Sequence, residues 1–291
     1  MCDHVRMEQA TEVLRYAAFS TTPGGGNPAG VVLDATRLDD ALMQAIAADV
    51  GYAETVFVTG VAVEGNPRRH RVRFFSPIAE VPFCGHATIA LAVALSGRDG
   101  TGSFTFDTAV GPVVIETAGQ GTAVTARFTS VEPQLAGFPD GILERLLGLL
   151  GVVRDDLDPG YPPMVAFAGN WHPILVFADR TTFDSFVFDP APLRALMDDQ
   201  HWAGTVTTLC ATGPGEFDSR NLFPVGTITE DPATGSAAAS FGGYLRLLSL
   251  VELPARVVVH QGSHVGRPSV LTVEVPLLGG IIVSGDAVEI S

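Results

Sequence analysis

Two short segments of this 291-residue chain set ionisable residues beside glycine at what the pattern predicts to be helix openings: Cys84-Gly85-His86 and Asp231-Pro232-Ala233-Thr234-Gly235-Ser236. The first four N–H groups of a helix have no partner inside it, and the helix dipole adds partial positive charge there. Gly85, His86, Gly235 and Ser236 would therefore offer amides to a carboxylate or a developing enolate. Plain capping accounts for the same residues, because Asp231-Pro232 is a good N-cap followed by proline at the first helical position. Glu54 sits where a loop enters the apolar run 55–58. Partial burial there raises a carboxyl pKa toward that of a general base, whereas a solvated strand end would leave it ordinary. His86 could donate to an oxyanion, shuttle a proton or be a satisfied structural histidine. Cys84 is either a thiol of lowered pKa or a small packing residue.

Composition removes several other chemistries. All 17 basic residues are arginine. Without lysine there is no pyridoxal-phosphate aldimine, no Schiff-base aldolase and no phosphate-loop lysine, so the run Gly24-Gly25-Gly26-Asn27-Pro28 is expected to be a turn. A net charge of −15 repels polyphosphate and argues against a nucleic-acid partner. His260 and His264 are four apart, but Gly262 lies between them and no acidic ligand is near, so no metal site is expected there. Cys2, Cys84 and Cys210 are an odd, widely spaced set that suits a reducing cytoplasm. Residues 1–14 carry acids and polar groups where a secretory signal would need an apolar stretch, and no run is long enough to span a bilayer. The expectation is a soluble cytoplasmic protein with no membrane partner.

The elements that must position these residues follow from periodicity. Runs rich in β-branched and aromatic residues at 13–19, 55–58, 71–75, 113–116 and 124–128 predict strands, as do 174–178 and 206–211. Amphipathic spacing predicts helices over 39–50 and 140–150. Segments 86–95 and 236–248 are apolar or small on every side, so each should be a helix buried all round at the centre of its own core. Prolines 133 and 139 mark a linker over 131–139. Strand, loop and helix opening recur on both sides of it, which suggests an internal duplication.

Taken together, Gly26-Asn27-Pro28-Ala29-Gly30-Val31-Val32-Leu33, Ala53-Glu54-Thr55-Val56-Phe57-Val58, Pro82-Phe83-Cys84-Gly85-His86-Ala87-Thr88, Glu230-Asp231-Pro232-Ala233-Thr234-Gly235-Ser236-Ala237, and Gln261-Gly262 with Gly266-Arg267-Pro268-Ser269 resemble the motifs of the phenazine-biosynthesis PhzF-like family, relatives of diaminopimelate epimerase. The resemblance implies an α+β fold of two pseudo-symmetric domains, each a curved mixed sheet or barrel around a central buried helix. Their expected bounds are 1–130, joined by a returning strand within 280–291, and 131–279. It also implies a cofactor-free and metal-free isomerase, a homodimer, acting on a small carboxylate-bearing substrate in the cleft between the halves. By position, Glu54 matches the family's general acid/base, His86 and Asp231 match residues that position or polarise substrate, and Gly85, Gly235 and Ser236 match the backbone donors.

Two positions depart from the relatives. Members acting on the phenazine precursor, a dihydro-hydroxyanthranilate, typically have serine before the catalytic glutamate, where this chain has Ala53. Diaminopimelate epimerase resembles the chain at Cys84, but Pro232 is expected where its second thiol would stand. One base can return a proton to another carbon on the same face, so a one-base isomerisation fits better than a two-base epimerisation through Cys84. A non-catalytic small-molecule binder on the same fold is the remaining alternative.

Overall fold

The helix that opens at Gly85 runs to Asp99, and every residue from His86 to Ser96 is buried. Such a helix has no face for water and must be enclosed. In the computed structural model, which describes residues 11–61, 65–121, 123–225 and 228–291, a closed barrel encloses it. Cys2 and the first ten residues of the N-terminal stretch lie outside the described residues.

In chain order the first half comprises β1 (Leu14–Ala18), β2 (Asn27–Val32), α1 (Asp40–Val50), β3 (Glu54–Val61), β4 (Arg69–Phe75) and β5 (Glu80–Val81). It continues with α2 (Gly85–Asp99), β6 (Gly102–Thr108), β7 (Gly111–Gln120) and β8 (Ala123–Thr129). The second half begins with β9 (Gln134–Ala136), α3 (Ile142–Leu149), β10 (Met164–Phe167), β11 (Trp171–Phe177), α4 (Arg180–Ser185) and α5 (Pro190–Asp199). After these come β12 (Val206–Gly213), β13 (Glu216–Val225), β14 (Ile228–Asp231), α6 (Gly235–Leu247), β15 (Ala255–Gln261), β16 (Ser269–Val275) and β17 (Ile282–Glu289).

Strands β1, β2, β3, β4, β6, β7 and β8 pair in that order, and β17 closes the ring by pairing with both β8 and β1. Closure leaves no exposed edge and surrounds α2 on all sides. Around α6 the pattern repeats pair for pair. The hairpin β1–β2 corresponds to β10–β11, the parallel step β2–β3 to β11–β12, and the parallel crossover β4–β6 to β13–β15.

Two expectations are corrected. The linker over 131–139 is not all coil: its prolines flank a short strand, β9, which pairs with β10. The two helices do not have separate cores either. One apolar cluster runs from Leu91 and Phe104 through Val283 and Ile281 to Phe241 and Leu245. The reason is topological, because β17 belongs to the barrel and also pairs with β16 beside α6. A second cluster, with Leu146, Phe177, Phe183 and Leu196, packs α3, α4 and α5 on the outside of the second half.

The duplication extends to an ion pair at the arm leading into each helix. Glu80 pairs in register with Phe75, and Glu230 with Leu222; in both cases the arginine two residues earlier on the long strand reaches that glutamate. Arg73 forks onto Glu80 at 2.7 Å and also meets Asp40 at 2.6 Å, in the open. Arg220 meets Glu230 at 2.6 Å with side chains only 8% and 10% exposed. It also donates to the Phe183 and Phe186 carbonyls and lies 3.8 Å over the Phe186 ring. Breaking a buried pair strands a charge, whereas an exposed pair is screened by water. Glu230→Ala should therefore cost about 3–5 kcal/mol, and Glu80→Ala less than about 1 kcal/mol. Urea melts of the two variants check this, and equal losses would show that burial is not what distinguishes the pairs.

Candidate active site

Three chain segments deliver their ends to one place. Glu54 opens β3 beside β2, opposite Ala29 in a parallel register. Beyond β5 the chain turns through Cys84 into α2, and beyond β14 it turns from Asp231 through Thr234 into α6. Neither N-cap residue, Cys84 or Thr234, caps its helix by a side-chain hydrogen bond, which leaves the amides of Gly85, His86, Gly235 and Ser236 without a capping side chain. Glu54, Gly85, His86, Asp231, Gly235 and Ser236 all line one cleft of about 630 Å³, counted out to its open mouth, and Cys84 lies among them. All six residues singled out from the sequence are therefore brought together, along with the thiol.

The electrostatics are those of charges withdrawn from water. Burial, with the neighbouring Asp231 charge second, pushes the Glu54 carboxyl up to about 7, although its side chain keeps 20% exposure toward the cleft. Burial likewise raises Asp231 to about 6, against the lowering effect of hydrogen bonds from Thr234 and Asn27. His86, buried and set against the Pro28 carbonyl, is lowered to about 4 and is neutral near pH 7. Burial and then the Glu54 charge push the Cys84 thiol well above its usual range, so it is not the activated thiol that its place at a helix opening suggested. Its Sγ lies 3.4 Å from Glu54 Oε2 and 3.3 Å from His86 Nδ1, and His86 Nε2 lies 3.4 Å from Glu54 Oε2. Glu54, Cys84 and His86 thus bring oxygen, sulfur and nitrogen ligand atoms within 4.8 Å of one another, a donor set able to take a metal ion.

Residues without evident chemistry in the sequence hold this arrangement. Asn27, which ends the glycine run expected to be a turn, donates to Asp231 Oδ1 at 2.8 Å and to the Ala233 carbonyl at 3.1 Å; the same nitrogen lies 3.1 Å from His86 Nδ1. One side chain thereby ties the two helix openings together. Arg267 fixes the run itself by donating to the Gly25 and Gly26 carbonyls. Gln261 donates to the Asp231 carbonyl at 2.6 Å and accepts from the Thr234 amide. The next residue, Gly262, has φ +81°, and a Cβ there would stand 2.5 Å from the Pro232 carbonyl oxygen. His172 lies 3.0 Å from Ser236 Oγ and is fixed behind by Thr205. A Cβ on Gly204 would sit 2.5 Å from the His172 ring, so glycine is required there. Asn27 and Gln261 could be picked out only by their motifs, while His172 carried no signal.

The residue opposite Cys84 is also corrected. By its place as N-cap directly before the helix glycine, Thr234 rather than Pro232 corresponds to Cys84, because Asp231 and Pro232 belong to the approach and not to the helix. The Thr234 hydroxyl is engaged with Asp231. Away from the cleft, His264 pairs with Asp184 at 3.0 Å, and Cys210 is buried in the outer apolar cluster. Among the described residues, no helix is long and apolar enough to cross a membrane.

Comparison with known proteins gives one consistent pattern. Residues 16–291 match the family described as phenazine biosynthesis-like protein. The chain is 34% identical over 281 residues to an uncharacterised isomerase of Deinococcus radiodurans, covering 92% of this chain and 88% of that one. It is 30% identical over 256 residues to trans-2,3-dihydro-3-hydroxyanthranilate isomerase of Pseudomonas fluorescens, covering 87% and 86% respectively. Its structure is similar to that of the Bacillus anthracis phenazine biosynthesis protein of the PhzF family, with a TM-score of 0.83, 26% identity and 96% of each chain covered.

Proposed function

The chain belongs to the phenazine biosynthesis-like family and is a PhzF-like isomerase, and on that premise we propose that it moves a proton between two carbons of a small carboxylate-bearing substrate, with Glu54 as the single general acid/base. The observation that carries this reading is a carboxyl withdrawn from water at the mouth of two helix openings, where burial raises it to about 7. A base is most effective when its pKa lies near the working pH. Among the described residues no arginine lines the cleft, so the amides and dipoles at Gly85, His86, Gly235 and Ser236 are what would receive the substrate carboxylate.

Glu54, once ionised, takes a proton from carbon, and the negative charge that develops is met by amides already fixed in place. The protonated Glu54, whose side chain keeps 20% exposure and so exchanges its proton with solvent, then delivers a proton to a second carbon on the same face, which moves a double bond without inverting a centre. Neutral His86 orients the carboxyl and hydrogen-bonds, but gives up no proton near pH 7. Asp231, held by Asn27 and Thr234, keeps the Glu54 pKa high through its charge. Ala53 offers no hydroxyl to the substrate beside the base, so the substrate is assigned by class alone.

Two measurements test this together. Chelator-dialysed protein, given trans-2,3-dihydro-3-hydroxyanthranilate or a related cyclic carboxylate in deuterium oxide, should place solvent deuterium in the product with undiminished turnover. A binder would instead show ligand-induced stabilisation and no exchange. Turnover that vanishes on chelation and returns with one particular metal would overturn the metal-free reading.

A further inference from the structure

We propose that Glu54, Cys84 and His86 form an inhibitory site for a thiophilic divalent cation, with Zn²⁺ the best fit, on the wall of the cleft. The ion takes part in no step of the isomerisation, although its site shares Glu54 and His86 with it, and it uses a thiol for which the proton transfer has no role. Zinc binds thiolate sulfur at about 2.3 Å and imidazole nitrogen or carboxylate oxygen at about 2.0–2.2 Å, so tetrahedral geometry sets its ligand atoms about 3.2–3.6 Å apart. Here Glu54 Oε2 lies 3.4 Å from His86 Nε2 and 3.4 Å from Cys84 Sγ, and Sγ lies 3.8 Å from Nε2. The three edges of a tetrahedral face are already close to their bonded lengths, and a shift of a few tenths of an ångström completes them.

The surroundings agree with this geometry. The imidazole is set against the Pro28 carbonyl, which helps to fix the ring orientation. Asn27 Nδ2 packs against the ring, 3.1 Å from Nδ1. All three ligand residues border the cleft, from which a water or a substrate carboxylate oxygen can supply the fourth ligand. On binding, the Sγ–H bond breaks, an S–Zn bond forms and the proton leaves to solvent. The resulting thiolate and the Glu54 carboxylate neutralise the two charges of the ion. Among the described residues no cationic side chain lines the cleft to oppose it.

A carboxylate that coordinates zinc cannot take a proton from carbon, so the metal blocks the proposed base and a chelator releases it. Only this kinetic consequence rests on the isomerase reading; binding is a separate claim with its own readout. In the metal-free protein, Co²⁺ titration should give one ion per chain, with a thiolate-to-cobalt charge-transfer band and the intense visible bands of a four-coordinate ion. Cys84→Ser should lose the charge-transfer band. Zn²⁺ competition against a chromophoric chelator should show Cys84→Ser and Glu54→Gln each weakened on the order of 10- to 100-fold. Thermal melts without metal verify that both variants are folded. In the parent, stoichiometric Zn²⁺ should abolish turnover and a chelator should restore it. Unchanged Zn²⁺ affinity in both variants, or the pale spectrum of a six-coordinate cobalt ion, overturns the site. Failure of the metal-free protein to turn over would instead count against the isomerase reading alone.

Discussion

Replacing Glu54 with glutamine should cost on the order of 10² to 10⁴ in turnover while leaving ligand binding close to that of the parent. Glutamine keeps the shape and polarity of the side chain but has no lone pair basic enough to accept a proton from carbon. Cys84→Ala is the informative comparison. Its thiol donates a hydrogen bond to Glu54 Oε2 at 3.4 Å and so favours the carboxylate slightly. Losing one such bond is worth about 1 kcal/mol, a factor of roughly five. A two-base inversion would require a second acid on the opposite face, and the residue that corresponds to Cys84 across the cleft is Thr234, whose hydroxyl is committed to Asp231. Single-turnover kinetics and deuterium incorporation for the two variants decide between them. Incorporation abolished by Cys84→Ala but intact in Glu54→Gln would transfer the role of base to the thiol.

Turnover should rise with pH through about 7 and fall about tenfold for each unit below it, since only ionised Glu54 can act. The groups that face it are Asp231, Cys84 and His86. Cys84 is pushed above this range and His86 below it, so neither adds a limb near neutrality. Asp231, at about 6, does titrate nearby, so the acid limb belongs to the pair of carboxyls and not to one residue. The sign for the variant follows from their repulsion. Asp231→Asn removes a like charge, which favours the Glu54 carboxylate and lowers its pKa, so the acid limb should move to lower pH even as the lost anchor reduces the maximum. Profiles of kcat and kcat/KM across this range, for the parent and Asp231→Asn, measure the shift. A limb that stays in place or moves upward would show that Asp231 does not set the basicity of Glu54.

Much of this was legible in the sequence because it is local. A run of ten or more apolar and small residues is too long for a typical buried strand and reads as an enclosed helix, and the glycine before it marks where that helix opens. The buried helices at Gly85 and Gly235 and the six cleft residues follow from such features and from motifs compact enough to read in order. The strand-loop-helix repeat on either side of the linker likewise foreshadows the matched pairings of the two halves.

What only the tertiary structure decided depends on contacts between residues far apart in the chain. The family resemblance implies that a strand within 280–291 returns to the first half, but no pattern in residues 282–289 says that β17 will also hold β16, and this shared strand merges what would have been two cores. Asn27 has the composition of a turn residue and becomes the tie between His86 and Asp231 only because it meets them 59 and 204 positions away. Burial of the Arg220–Glu230 pair against Phe186, in contrast to its exposed counterpart, was equally invisible. The pKa of Glu54 belongs to the same class. A carboxyl's type and its place at the start of a strand are sequence properties, but desolvation and the field of Asp231 exist only once both halves of the chain have closed around it.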